Sequence, residues 1–142
     1  MKLILIVILF ICFTWGCKTP PPTETEQESP VSLKFGEIAI VKSLNLRVGF
    51  RDVLEDSRCP KDMMCFWAGQ AVLRLWLLPS NSDTIFMQPT IYGDVNRNDS
   101  SRHIAIDTVG FRIKLLQLDP YPVSNIVIRK TDYLALLEIS KD

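Results

Sequence analysis

Two cysteines six positions apart, Cys59 and Cys65, are the residues whose type and spacing suit chemistry most directly. A dithiol can cycle between oxidised and reduced forms, but redox centres favour Cys-x-x-Cys inside a βαβ pattern. Here five residues separate the pair and no such pattern surrounds it, so a redox role is not expected. Acidic residues come next. Asp52, Glu55, Asp56 and Asp62 crowd one stretch, and hard oxygen ligands suit calcium. The glycine-punctuated spacing of an EF-hand is missing, however, and Arg51, Arg58 and Lys61 sit among the acids. Asp94 and Asp99 are no better organised. The single histidine, His103, has no base or nucleophile motif around it and cannot form a multi-histidine metal site. Ser57, Ser80, Ser82, Ser100 and Ser101 lie in no Gly-x-Ser-x-Gly context. Glu55 and Asp56 are adjacent carboxylates, but adjacent residues need not face one cleft, as glycosidase chemistry requires. No glycine-rich phosphate loop is present. The expectation is a non-enzyme with no catalytic residue, no metal and no cofactor. Nucleic acid is excluded as a partner, because 16 Lys and Arg balance 16 Asp and Glu and leave no basic excess.

The N-terminus addresses the compartment. Lys2 precedes an apolar run over residues 3–13. Eleven residues are too few to cross a membrane, which takes roughly 20, but they suit a signal-peptide core. Gly16 then stands directly before Cys17. The arrangement resembles a bacterial lipoprotein signal, which implies cleavage after residue 16 and acylation of the Cys17 sulfur. Trp15 is bulky for its position, and Cys12 is a poorer candidate because Ile11 precedes it. Residues 17–30 are then expected to be a lipidated cysteine and a disordered tether, since KTPPPTETEQESP offers no apolar residue to a core. With Cys12 lost and Cys17 acylated, Cys59 and Cys65 are the two thiols left, and export favours their oxidation to a disulfide. The expected location is the cell envelope, on a bacterial membrane and outside the cytoplasm.

Residues 31–142 have the size of one domain. Their pattern is mostly period two. Val31, Leu33 and Phe35 alternate, as do Leu44, Leu46, Val48 and Phe50. Residues 71–78 place Leu73, Leu75 and Leu77 on one face and Val72, Arg74 and Trp76 on the other, which predicts a central strand. Further strands are expected at 38–41, 84–87, 104–106, 111–115, 126–128 and 133–139, with turns at PSNSD and DPYP. Tyr121–Pro122 is a candidate cis bond. About eight short strands without long amphipathic helices predict a mainly β domain, an antiparallel sandwich or barrel.

Residues 56–69 read DSRCPKDMMCFWAG. This block, with Pro120, Tyr121 and Pro122 near the C-terminus, resembles a family of small bacterial secreted or lipid-anchored β domains. The resemblance implies a β-sandwich-like fold and no established activity. Read on its own, the block is a short loop stapled by Cys59 and Cys65. Asp56 and Ser57 can hold the turn through local backbone bonds, and Arg58 can pair with Asp56. On an extended chain Cys65 and Trp67 share parity, which predicts an indole packed beside the disulfide. The loop is either plain architecture or a recognition surface made of Pro60, Lys61, Asp62, Met63, Met64, Phe66 and Trp67, since methionines suit adaptable contacts. The leading expectation is a lipid-anchored binding or structural module of the envelope, partnered by the membrane and by an unidentified envelope protein or ligand. The alternative is a protein-recognition or protease-inhibitor-like domain that uses residues 59–65. An exposed Met63/Met64 tip favours recognition; a packed loop favours architecture.

Overall fold

The computed structural model describes residues 24–93 and 103–142. Cys17, the leader, and Asp94 and Asp99 lie outside the described residues. Among those described, the fold is mainly β, with ten strands in two sheets and no closed barrel. The first sheet runs β1 (Glu24–Glu26), β3 (Ile38–Val41), β4 (Leu46–Asp56), β5 (Gln70–Pro79) and β6 (Ile85–Met87), with β7 (Thr90–Tyr92) also on β5. The second runs β2 (Val31–Lys34), β10 (Leu134–Lys141), β9 (Phe111–Asp119) and β8 (Ala105–Thr108).

The period-two pattern explains the layers. On β5, Ala71, Leu73, Leu75 and Leu77 are buried while Val72, Arg74 and Trp76 are half-buried on the outer face. Val48 and Phe50 join them from β4, and Leu33, Ile113, Leu115, Leu137 and Ile139 meet them from the second sheet in one core. Each such side chain contributes about 1.5–3 kcal/mol by leaving water. The central β4–β5 pair is antiparallel, and two register shifts on β4 bend it toward its end at Asp56.

Four expectations need correction. The tether is not disordered throughout, because Glu24–Glu26 pair in parallel with Ile38–Ile40 as β1. The Gln27 side-chain amide then brackets the Ser32 backbone, donating at 2.8 Å and accepting at 2.7 Å, and Ser29 Oγ accepts from the Ile139 N–H at 3.0 Å. The open edge of β3 supplies the backbone partners, and Arg47 and Lys42 pair with Glu24 and Glu26. The folded part therefore starts by residue 24, not 31. Residues 126–128 are no strand; Val127 is exposed in a loop that returns to β10. Leu44 belongs to a 3-10 turn, Lys42–Leu44, so β4 starts at Leu46 and runs six residues past the expected Phe50. Among the described residues the cis peptides are Ser29–Pro30 and Asp119–Pro120, not Tyr121–Pro122.

The two sheets leave two poles. At one, the turns carry Lys42, Ser43, Asn45 and the PSNSD segment. At the other, β4 hands over to β5 through residues 57–69, and β9 reaches β10 through residues 120–133.

Candidate functional site

The second pole gathers the stapled loop and the 120–133 segment. Its base is an ion pair. Arg58 folds back on Asp56, its Nε donating to Oδ1 and its Nη2 to Oδ2, both at 2.7 Å. Nη1 donates to the Leu118 carbonyl at 2.7 Å and Nη2 to that of Pro120 at 3.2 Å. The guanidinium lies over the Tyr121 ring, 4.8 Å from its centroid. Tyr133 donates its hydroxyl to Asp56 Oδ2 at 2.9 Å. Burial, and then the Asp56 carboxylate, push the Tyr133 phenol above its ordinary range, so it stays a donor. Arg58 is 4% exposed. These groups satisfy one another, so the cluster fixes the loop to the end of β9 and the start of β10.

Backbone contacts continue the support. Ser57 N–H donates to Gln70 O and Cys59 N–H to Ala68 O, both at 2.8 Å, carrying the β4–β5 ladder into the loop. Gly69 has φ +68°, and a Cβ there would lie 1.9 Å from the Ser57 oxygen. A Cβ on Gly93 would lie 1.8 Å from the Ala68 oxygen, and Gly93 N–H donates to Gly69 O at 2.8 Å. Only glycine permits three chains to pass this close.

Cys59 and Cys65 are disulfide-bonded, with Cα atoms 5.9 Å apart. A turn bonds Met63 N–H to Pro60 O at 3.0 Å. The loop is also clasped from outside. Lys61 N–H donates to Pro122 O at 3.0 Å, and Ser124 N–H donates to Asp62 Oδ1 at 2.8 Å, with the Ser124 hydroxyl on Oδ2. Bonds from Ser124 hold the Asp62 carboxyl below the usual carboxylate range. Between the two segments runs a cleft of about 700 Å³ whose walls include Pro60, Met63, Tyr121, Val123 and Ile126.

The tip above this frame is apolar and open. Met64 is 100% exposed, Phe66 95% and Trp67 76%; Met63 and Ile126 are exposed too, and Val127 is 89% exposed. Trp67 is left largely open to solvent rather than covered. It meets Phe66 edge-on, with centroids 5.4 Å apart and planes at 77°. The parity argument needed an extended chain, and residues 57–69 form turns and bends instead.

Other candidate residues are engaged elsewhere. Asp52 pairs with Lys130 at 2.5 Å, which lowers its pKa, and Ser57 Oγ donates to Glu55 at 2.7 Å. The four acids of the crowded stretch thus face different partners. His103 Nδ1 bonds the Leu115 carbonyl at 2.8 Å, and Arg112 and Lys114 pair with Asp107 and Glu138. Sequence reasoning missed the 121–128 segment as half of the site. Its apolar triplet Ile126–Val127–Ile128 resembles a strand, and only the helix-breaking, positive-φ Asn125 before it pointed to a loop. No protein-family model, curated protein or solved structure matches the chain.

Proposed function

We propose that this protein is a lipid-anchored binding module of the bacterial cell envelope, held by Cys17 and binding through the pole built from residues 59–67 and 121–128. The observation that carries the binding role is the set of exposed apolar side chains, Met63, Met64, Phe66, Trp67, Ile126 and Val127, on a frame with little freedom to bury them. Soluble surfaces rarely keep so many large apolar groups together without an occupant. The disulfide, the Arg58–Asp56 pair and the Asp62–Ser124 clasp hold the surface in place, which lowers the ordering cost of binding. The exposed Met63/Met64 tip favours recognition over plain architecture. The lipoprotein-like leader and the resemblance of DSRCPKDMMCFWAG to lipid-anchored domains support the envelope location.

Photocrosslinking in intact cells tests the binding pole. A photoreactive residue at position 64 or 127 is expected to form adducts with an envelope component, whereas one at Ser82, on the polar pole, is not. Equal labelling from all three positions overturns the assignment.

A further inference from the structure

We infer that the occupant of this pole is the lipid bilayer itself, with Phe66 and Trp67 seated at its interface. The inference rests on the anchoring reading above and deepens it: the domain is held down by its tip as well as by acylated Cys17.

Chain direction carries the argument. β1 runs parallel to β3, and β3 antiparallel to β4, so Glu24 stands level with Ile38 and Gly49. The N-terminal side of Glu24 therefore faces the Asp56 end of β4, the pole that bears the stapled loop. Gly49 pairs with Trp76 and Asp56 with Ala71. Those five steps along β5 span about 17 Å. Seven steps of chain lead from the anchor position, Cys17, to Glu24, and fully extended they reach at most about 24 Å. Extended in the direction from which β1 enters, that leash is long enough to bring the anchor to the end of the molecule that bears the apolar tip.

The two poles differ in the way a membrane-facing and a water-facing end must. Residues 57–69 and 120–133 carry Arg58, Lys61, Asp62, Arg129, Lys130 and Asp132; Arg58 is buried on Asp56, Ser124 holds the Asp62 carboxylate against the frame, and Arg129 and Lys130 are paired with Asp132 and Asp52. The exposed apolar side chains among them are two methionines, a phenylalanine, a tryptophan, an isoleucine and a valine. Tryptophan, with an apolar ring and a polar N–H, favours the membrane–water boundary. The opposite pole exposes Lys42, Ser43, Asn45, Ser80, Asn81, Ser82 and Asp83, together with Val109 in the turn between β8 and β9. A bilayer held by so short a leash lies within reach of the tip.

Tryptophan quenching tests the seat. The full chain, purified from membranes and reconstituted in phosphatidylethanolamine–phosphatidylglycerol vesicles, is compared with and without bromine on the lipid acyl chains. Quenching that disappears in Trp67→Phe is assigned to Trp67, which separates it from Trp76 and from any retained Trp15. The expected result is quenched, blue-shifted Trp67 emission that Met64→Asp with Val127→Asp abolishes. Trp67 emission identical in brominated and plain vesicles overturns the inference. The mass of the N-terminal peptide reads the anchor separately: an unmodified Cys17 with a quenched Trp67 rejects the anchor and keeps the seat. An unquenched Trp67 beside protein adducts from position 64 rejects the seat and keeps the binding pole.

Discussion

Arg58 was legible only in part. Its neighbour Asp56 suggested a local pair, and the structure forms it, but the Leu118 and Pro120 carbonyls and the Tyr121 ring are about 60 residues away in sequence. A buried ion pair adds little over an apolar replacement of the whole set, yet removing one member strands the other. Arg58→Met should leave the Asp56 carboxylate, with its side chain 8% exposed, without its cation. Urea unfolding should show a loss of about 3–5 kcal/mol. Tyr133→Phe removes one neutral donor from a carboxylate that keeps Arg58, and should cost about 1 kcal/mol. Tyr133 also sets a pH dependence. Its folded pKa is raised above the ordinary 10.0, so its contribution is complete below that pH and is lost as pH rises through the folded value. Stability should therefore decline above pH 10, and less steeply in Tyr133→Phe, as thermal melts in alkaline buffers would read.

Among the elements, the strands with clean alternation follow their residues closely. Leu46, Val48, Leu75 and Ile113 are all buried as their parity requires. Segments whose state depends on a neighbour do not. Glu24–Glu26 has no apolar residue, and becomes a strand because β3 offers an unpaired edge and two cations. Residues 126–128 have strand composition but pair with no strand among the described residues. The stapled loop depends on both local and distant support, which can be separated. Gly69→Ala places a Cβ against the Ser57 oxygen at positive φ and should cost more than about 1 kcal/mol in denaturant titration. Cys59→Ser opens a small loop and should cost about 2 kcal/mol in the chain-entropy account. Met63→Ala with Met64→Ala should leave the unfolding midpoint nearly unchanged, because Met64 is fully exposed and Met63 more than half exposed.

For the whole molecule, the poles matter more than any pocket. Sheet topology sends the 57–69 and 120–133 segments to one end and the polar turns to the other. Neither the core nor the charge balance distinguishes these ends. The anchoring reading makes a prediction at this scale. Cys17→Ala should move the protein from the detergent-extractable membrane fraction to the soluble fraction or block its processing, as immunoblots of fractionated cells would show. Unchanged lipid labelling of that variant rejects Cys17 as the acceptor.

The fold class was legible from the residues alone, because period-two burial is local information: each strand states which face is apolar. The pairing of Cys59 with Cys65 was an expectation from the short spacing and from the export reading, and the structure forms the bond. Only the tertiary structure decided which segments share a pole. Asp62 meets Ser124 and Arg58 meets Pro120 across more than 60 residues, and no periodicity encodes a contact between two irregular loops. The exposure of Trp67 was decided there too. An indole beside a cysteine is buried on a strand and bare on a turn, and the turn exists because Gly69, Gly93 and the Arg58 cluster close the loop beneath it.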